Sequence, residues 1–507
     1  MKKTLALLLA LSLTLPMLAS CANDQQEEVK TEAATPTAEE VPVEEEVEID
    51  PFEGFDYDGR TFSIHTSANA ATVSMISSNY YIQGYEEFTG DLAPDAAIQR
   101  NQDVMDRLNI ELAYEQTDYT YDVVASNIRQ LLQSGDATYQ LIINDIYGLA
   151  PITPEGLFHN AFDGKNFDFS RGWWYEDFMS DISMNSNSRF MLAGDYFIDQ
   201  LRCTHCMIMN KDMYKDLYGE PQEVYDMVLE KQWTLDTYKM LLDGAYIDAN
   251  GNGRKDKDDV FGAIAFQKWG PMIPWLISSD PGFIERDADG YPVLALDNER
   301  SYKLTEKLNE IYQHNACLIE VVTDEQQIIN MFTSGQSLFV WYQRLGSLES
   351  ASYRETEVDL AVLPYPMLDE LQEDYVTSTH DTAELGFIPV AVAYEDMDFV
   401  SAVIEVLCRE TNKQVLPQYY ESSLKIKYTR DDASAQMIDI IHDHYGNGFA
   451  LAWSNGLSGV FMSNTFNQCI SNGNTDFASK YKSVGKAAGK LLEKFIEKDV
   501  EMQLNRQ

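Results

Sequence analysis

Arg60-Thr61-Phe62-Ser63-Ile64-His65-Thr66, Ile110-Glu111-Leu112-Ala113-Tyr114 and Tyr139-Gln140-Leu141-Ile142-Ile143-Asn144 are three short strand-like runs, and what separates them decides the fold. The first alternates apolar and polar residues like a half-buried strand, and the third is nearly continuous in apolar residues. Between them lie two helical stretches. Pro94–Leu108 carries Ala96, Ile98, Val104 and Leu108, and Val123–Leu132 stops before Gly135. Strand, helix, strand, helix, strand at this spacing predicts a parallel sheet covered by helices, because parallel strands need a long crossover between them.

The pattern recurs downstream. Cys203–Asn210 reads as a strand followed by a helix over Asp212–Tyr218, and Trp233-Thr234 opens another helix with Thr234 as N-cap. Gln336–Tyr342, Val358–Pro364 and Leu385–Ala393 read as strands. Met397–Arg409 is an amphipathic helix with Val400, Val403, Ile404 and Leu407 on one face. The last hundred residues are expected to be mainly helical.

The chain has 507 residues, enough for two or three domains, and 45% of them are hydrophobic, so sizeable cores can form. Its formal net charge is −45. That excludes nucleic acid as a natural partner, since phosphates need basic surfaces, and argues against direct docking on anionic lipid.

The N-terminus gives an address. Met1-Lys2-Lys3, an apolar stretch from Thr4 to Leu18 and then Ala19-Ser20-Cys21 predict a secretory signal peptide over 1–20. Leu18-Ala19-Ser20-Cys21 looks like a bacterial lipobox, which would make Cys21 the lipidated first residue of an extracytoplasmic protein anchored to the cell membrane. Residues 21–50 follow as an acidic tether. It holds Glu27-Glu28, Glu39-Glu40 and Glu44-Glu45-Glu46, and it has no aromatic residue.

With Cys21 assigned to lipid, Cys203, Cys206, Cys317, Cys408 and Cys469 remain. An odd number does not suit a disulfide framework, and Cys203-Thr204-His205-Cys206 has no second such pair to complete a zinc site.

Asp248-Ala249-Asn250-Gly251-Asn252-Gly253-Arg254-Lys255-Asp256-Lys257-Asp258-Asp259 matches a twelve-residue calcium loop. Side-chain oxygens come from Asp248, Asn250, Asn252, Asp256 and Asp259. Arg254 would offer its carbonyl, and Gly253 falls where the chain must turn. A structural Ca2+ is expected there. A polar surface turn without an ion is the other reading of the same residues.

Catalytic motifs do not appear: the seven histidines form no metal-binding helix pair, and there is no nucleophile elbow or phosphate loop. Aromatic residues recur instead where strands end. Tyr147 follows Asn144-Asp145, Trp341-Tyr342 ends the strand that starts near Gln336, and Trp269 and Trp275 bracket a Gly-Pro turn. Aromatic faces stack on sugar rings while Asp and Asn take hydroxyls.

Together these segments resemble an extracellular solute-binding protein of the family 1, sugar-type group that serves ABC importers. The likeness runs in order through Gln140-Leu141-Ile142-Ile143-Asn144-Asp145, Met209-Asn210-Lys211-Asp212-Met213 and Trp233-Thr234. It continues with the calcium-like loop, Val260-Phe261-Gly262, Phe332-Thr333-Ser334-Gly335 through Phe339, and Leu363-Pro364-Tyr365-Pro366. The resemblance implies a periplasmic-binding-protein-like α/β fold, two α/β lobes joined by a hinge with the ligand cleft between them. By order, 51–200 and 362–412 would form the first lobe, and 201–361 and 413–507 the second. It implies ligand binding by His65, Thr66, Asn144, Asp145, Tyr147, Tyr196, Asp199 and Trp269, with Trp341 stacking from the second lobe. The expected activity is capture of a carbohydrate, an oligosaccharide, for import, with a membrane permease as partner and the binder acting as a monomer, not an enzyme. A surface glycan hydrolase and a peptide-binding receptor are the rival readings.

Overall fold

Nine strands of the computed structural model fall into two mixed sheets, and the helices between them supply the covering layers. The structure describes residues 50–67, 75, 77–266, 270–320, 325–428 and 431–505. The signal peptide, Cys21, the tether up to residue 49 and Trp269 lie outside the described residues. In chain order the elements that position the site are β1 (Arg60–Ser67), α1 (Leu92–Leu108), β2 (Ile110–Thr117), α2 (Val124–Gln133) and β3 (Leu141–Asp145). Next come β4 (His205–Asn210), α3 (Leu235–Leu242), β5 (Phe261–Phe266), α4 (Glu299–Tyr312), β6 (Cys317–Glu320) and β7 (Ser337–Arg344). β8 (Leu360–Leu363), β9 (Glu384–Phe387), α5 (Met397–Glu410) and α6 (Phe477–Asn505) complete them.

The first sheet has the order β9-β3-β1-β2. β1 is parallel to both β2 and β3, with Ile64 opposite Leu141 and His65 opposite Ile142. The opening strand–helix–strand reading therefore holds, each element lying within three residues of its expected ends. All five residues of β3 are buried, which is why this strand reads as a continuous apolar run rather than an alternating one. α1 turns Ala93, Ala97, Val104 and Leu108 inward and ends at Asn109 in a left-handed conformation.

The second sheet has the order β8-β4-β7-β5-β6, with β5 parallel to β6 and β7, and β4 antiparallel to β7 and β8. Each sheet thus carries antiparallel pairing, at β9 in the first and at β4 in the second, beside the places where the chain changes sheet. Thr234 caps α3 as the sequence predicts, its hydroxyl accepting from Thr237 N at 3.4 Å.

β8 belongs to the second sheet through Leu363, so the chain leaves that sheet after 363, not at the expected 361–362 boundary. α5 packs on α1 and continues into widened, π-type turns from Thr411 to Tyr428. The C-terminal segment serves both sides. The helix Gly448–Trp453 packs on Glu176–Ile182 and the turn after β3, whereas α6 packs on α4 and also on the turn Ala150–Glu155. No helix among the described residues is long and apolar enough to cross a membrane.

Candidate functional site

Parallel pairing brings the C-terminal ends of β1 and β3 to one edge of the first sheet, the edge at which α/β sheets present binding groups. His65 is buried there. Its Nε2 lies 3.0 Å from the Thr117 hydroxyl, and its ring sits between Tyr119 and Tyr139. Burial pushes its pKa down to about 4, so the imidazole is neutral at physiological pH. The His65 Nδ1, Thr66 Oγ1 and Asn144 Nδ2 atoms are all buried and have no hydrogen-bond partner among the described residues.

Asp145 accepts from Gly148 N at 2.6 Å and so caps the turn that follows β3. A Cβ on residue 148 would stand 2.3 Å from Val124 Cγ1, so only glycine lets this turn settle on α2. Burial, with Asp381 adding to it and the Gly148 N–H opposing, pushes the Asp145 carboxyl up to about 7. Tyr147 presents its ring edge-on to Tyr121 at 6.0 Å, and its N–H donates to the Asp381 carbonyl.

The segment 378–384 joins this edge to the second sheet. The Ala383 and Asp381 carbonyls accept from Ile146 and Tyr147, while Ser378 O accepts from His205 N and Cys203 O accepts from His380 N. On the second-sheet side, the register of β4 against β7 shifts between Cys206 and Ile208, and Tyr342 adopts a φ of 61°. A non-glycine residue held there is strained and persists only where its surroundings fix it. Here they do: Tyr365 OH accepts from Tyr342 N at 2.7 Å, and the Tyr342 hydroxyl lies 2.5 Å from His380 Nε2. Its ring stacks on His205, with centroids 5.3 Å apart. A side chain at Gly270 would meet the Tyr342 hydroxyl at 2.6 Å. His205 is held well below its ordinary pKa by burial, helped by His380 and Arg344, and its Nε2 has no partner among the described residues.

Of the remaining expected site residues, Trp341, Tyr196 and Asp199 lie elsewhere, and Trp269 is outside the described residues. Trp341 is 1% exposed. It is buried in the second lobe's core, its indole N–H donating to Tyr238 OH at 2.6 Å and its ring against Trp275 and Tyr312. The strand-end aromatic that reaches the crossover is its neighbour Tyr342, because successive residues of a strand face opposite ways and the register shift redirects this one. Tyr196 is interior to the first lobe, with its hydroxyl 3.2 Å from that of Tyr114 and the Arg100 guanidinium over its ring. Asp199 is committed to Arg202 at 2.9 Å, and Arg202 also grips Glu349 through two bonds. Burial still pushes Asp199 up to about 6. The structure adds Tyr342, His205, His380 and Asp381 to the candidate edge, none of them among the binding residues expected from the sequence. Of these only Tyr342 carries a sequence signal, as the second aromatic of the strand-end pair Trp341-Tyr342.

The loop Asp248–Asp259 is closed at its base by reciprocal bonds between Ile247 and Val260, and Gly251 and Gly253 take positive φ. Its acceptors are turned to the loop's own donors. Asp248 accepts from Asn252 N and Gly253 N, Asn250 Oδ1 from Asn252 N, and Asn252 Oδ1 from Arg254 N. Asp256 accepts from both asparagine amides, and Asp259 from Tyr246 OH, Ala249 N and Asp256 N. Oxygen type and turn geometry fit a hard cation. Among the described residues, however, no three His, Cys, Asp or Glu side chains are gathered in a metal-holding arrangement, so an ion would have to displace these internal bonds. The five cysteines Cys203, Cys206, Cys317, Cys408 and Cys469 are buried and unpaired with one another.

The fold is periplasmic-binding-protein-like: two α/β lobes, each on its own mixed sheet, joined by crossing segments whose strand ends carry the candidate site. Solved structures similar to it include the following three. An ABC transporter solute-binding protein from Thermotoga lettingae TMO, bound with α-D-tagatose, matches at 12% identity over 86% of this chain and 100% of its own, with a TM-score of 0.52. The GacH receptor of Streptomyces glaucescens, solved unliganded and with acarbose, matches at 9% identity over 86% and 99%, with a TM-score of 0.52. The maltose/maltodextrin-binding domain MalE of Bdellovibrio bacteriovorus, bound to maltotriose, matches at 12% identity over 86% and 100%, with a TM-score of 0.50. At these identities the likeness establishes the fold. No protein-family model and no curated protein matches the chain.

Proposed function

We propose that this protein captures an extracellular carbohydrate, an oligosaccharide, at the strand-end edges of its two lobes and hands it to an ABC permease. One observation carries the reading: buried polar atoms on both sides of the crossover, His65 Nδ1, Thr66 Oγ1 and Asn144 Nδ2 from the first sheet and His205 Nε2 from the second, have no partner among the described residues. Each unmet group costs about 1–3 kcal/mol. A ligand rich in hydroxyls, each both donor and acceptor, can answer such a mixture of donors and acceptors, while Tyr147, Tyr121 and Tyr342 offer aromatic surface. A ligand bridging both edges binds the closed arrangement better and shifts the population toward it. The sugars named for the three similar structures point the same way. Export, lipid attachment at Cys21 and a structural Ca2+ in the loop Asp248–Asp259 belong to the same proposal. A thermal-shift and calorimetric screen of mono- and oligosaccharides and short peptides tests it. Saturable binding of a saccharide is the expected result, and binding of peptides alone transfers the fold to a peptide receptor.

A second reading has one observation in its favour. Asp145, with its carboxyl up to about 7, lies near a second carboxylate, Asp381, and a pair of carboxyl groups is what glycoside hydrolysis uses. Asp145 is already occupied in capping the turn after β3. Release of reducing ends from an oligosaccharide, abolished in Asp145→Asn, would favour the hydrolase.

A further inference from the structure

The segment 77–86 leaves a second chamber on the flank of the first lobe. It is a cavity of about 540 Å3 between that segment, the outer side of α1 and the edge strand β2. None of His65, Thr66, Asn144, Asp145 or Tyr147 lines it. Its walls are aromatic and amide. Tyr80 and Tyr85 stack on each other with centroids 4.1 Å apart, and Gln83, Gln102 and Gln116 border the same space. Gln116 donates to Gln83 Oε1 at 3.0 Å, which leaves Gln83 an amide donor and Gln116 an acceptor. Asn79, 4% exposed, donates to Ser67 O, while its buried Oδ1 has no partner among the described residues.

The wall is built rather than incidental. Arg100, fully buried on α1, donates to the Tyr81 and Ile82 carbonyls, and Asn101 donates to those of Ile82 and Gln83. Gly84 has a φ of 84°, and a Cβ there would come within 2.7 Å of Ile98 Cγ1, so the backbone next to Tyr85 lies close against the helix. Among the described residues, the lining holds a single charged side chain, Glu86, and no cation. That disfavours an anionic ligand and leaves a neutral, hydroxyl-rich one. The volume falls within the range of small-ligand pockets.

We propose that this flank cavity is a second saccharide site, taking a neutral sugar of one or two rings against the Tyr80–Tyr85 platform, separate from the strand-end site. Calorimetric titration of the full chain with glucose, maltose, maltotriose and N-acetylglucosamine should show a second, weaker saturable component with at least one of them. Tyr85→Ala and Gln102→Ala, both at solvent-accessible positions, should weaken that component about fivefold or more without moving the first component or the melting temperature. Tyr85→Phe should retain it. A flank component that persists when Asn144→Ala removes the strand-end one supports this site, while their joint loss overturns its separateness. The proposal also fails if all four sugars give a single component, or if Tyr85→Ala changes nothing.

Discussion

Tyr342→Phe and Trp341→Phe form a pair whose effects should be opposite in kind. Tyr342→Phe keeps the ring stacked on His205 but removes the hydroxyl 2.5 Å from His380 Nε2. One hydrogen bond is worth about 1 kcal/mol net, rising toward about 3 if the buried partner is left unmet, so a modest loss of stability is expected. Because that hydroxyl fixes His380 beside Asp381 and the β3 edge, saccharide affinity should fall about fivefold. Trp341→Phe instead deletes ring volume from a packed core and orphans Tyr238 OH, which should cost about 2 kcal/mol of stability and leave affinity unchanged. Thermal melting and calorimetry on both variants read these two quantities separately. If Trp341→Phe weakens saccharide binding at an unchanged melting temperature while Tyr342→Phe does not, the core and site assignments are reversed and the reasoning from the register shift is wrong.

Other consequences are measurable. Asp145, Asp195 and Glu405 have carboxyls raised to about 7, above their unfolded values, so the stability they contribute is fully present below about pH 4 and is lost as pH rises through 7. Asp145→Asn keeps an oxygen for Gly148 N and should therefore melt higher than wild type at pH 8, with a smaller difference at pH 5; a lower melting temperature at pH 8 would contradict the burial account. His65, lowered to about 4, works in the opposite sense, favouring the folded state as pH rises from 4 to 6.5, so His65→Gln should remove that rise in a pH series of melts. Gly148→Ala should lose about 1–3 kcal/mol, since its methyl meets Val124, and a wild-type melting curve would show that the turn relaxes freely. If the loop Asp248–Asp259 takes Ca2+, added calcium should raise the melting temperature of wild type and not of Asp248→Ala; no shift in wild type argues against a bound ion.

The frame was legible in the sequence because its signals are local. The apolar run at β3, the period of α1 and the Thr234 cap each depend on a few neighbouring residues, and tertiary packing agreed with them. Parallel pairing brings the chain ends that carry His65, Thr66, Asn144 and Asp145 to one edge of the first sheet, a placement that rests on equally local strand signals. The second-sheet edge proposed to face it was hidden by long-range geometry. Choosing Tyr342 over Trp341 requires knowing where β4 slips against β7, a property of two strands far apart in sequence. His205 meets His380 only because the chain returns through 378–384, a stretch with no period to read. Asp199 reads as a free binding acid in the sequence, yet it is held by Arg202, which also grips Glu349, a residue far along the chain.

A crystal structure of the protein with a bound oligosaccharide tests the central claim most directly. Sugar hydroxyls should lie within hydrogen-bond distance of His65 Nδ1, Thr66 Oγ1 and Asn144 Nδ2 on one side and His205 Nε2 on the other, with both lobes in contact with a single ligand. A ligand bound only elsewhere, with those atoms answered by the protein itself, would contradict it.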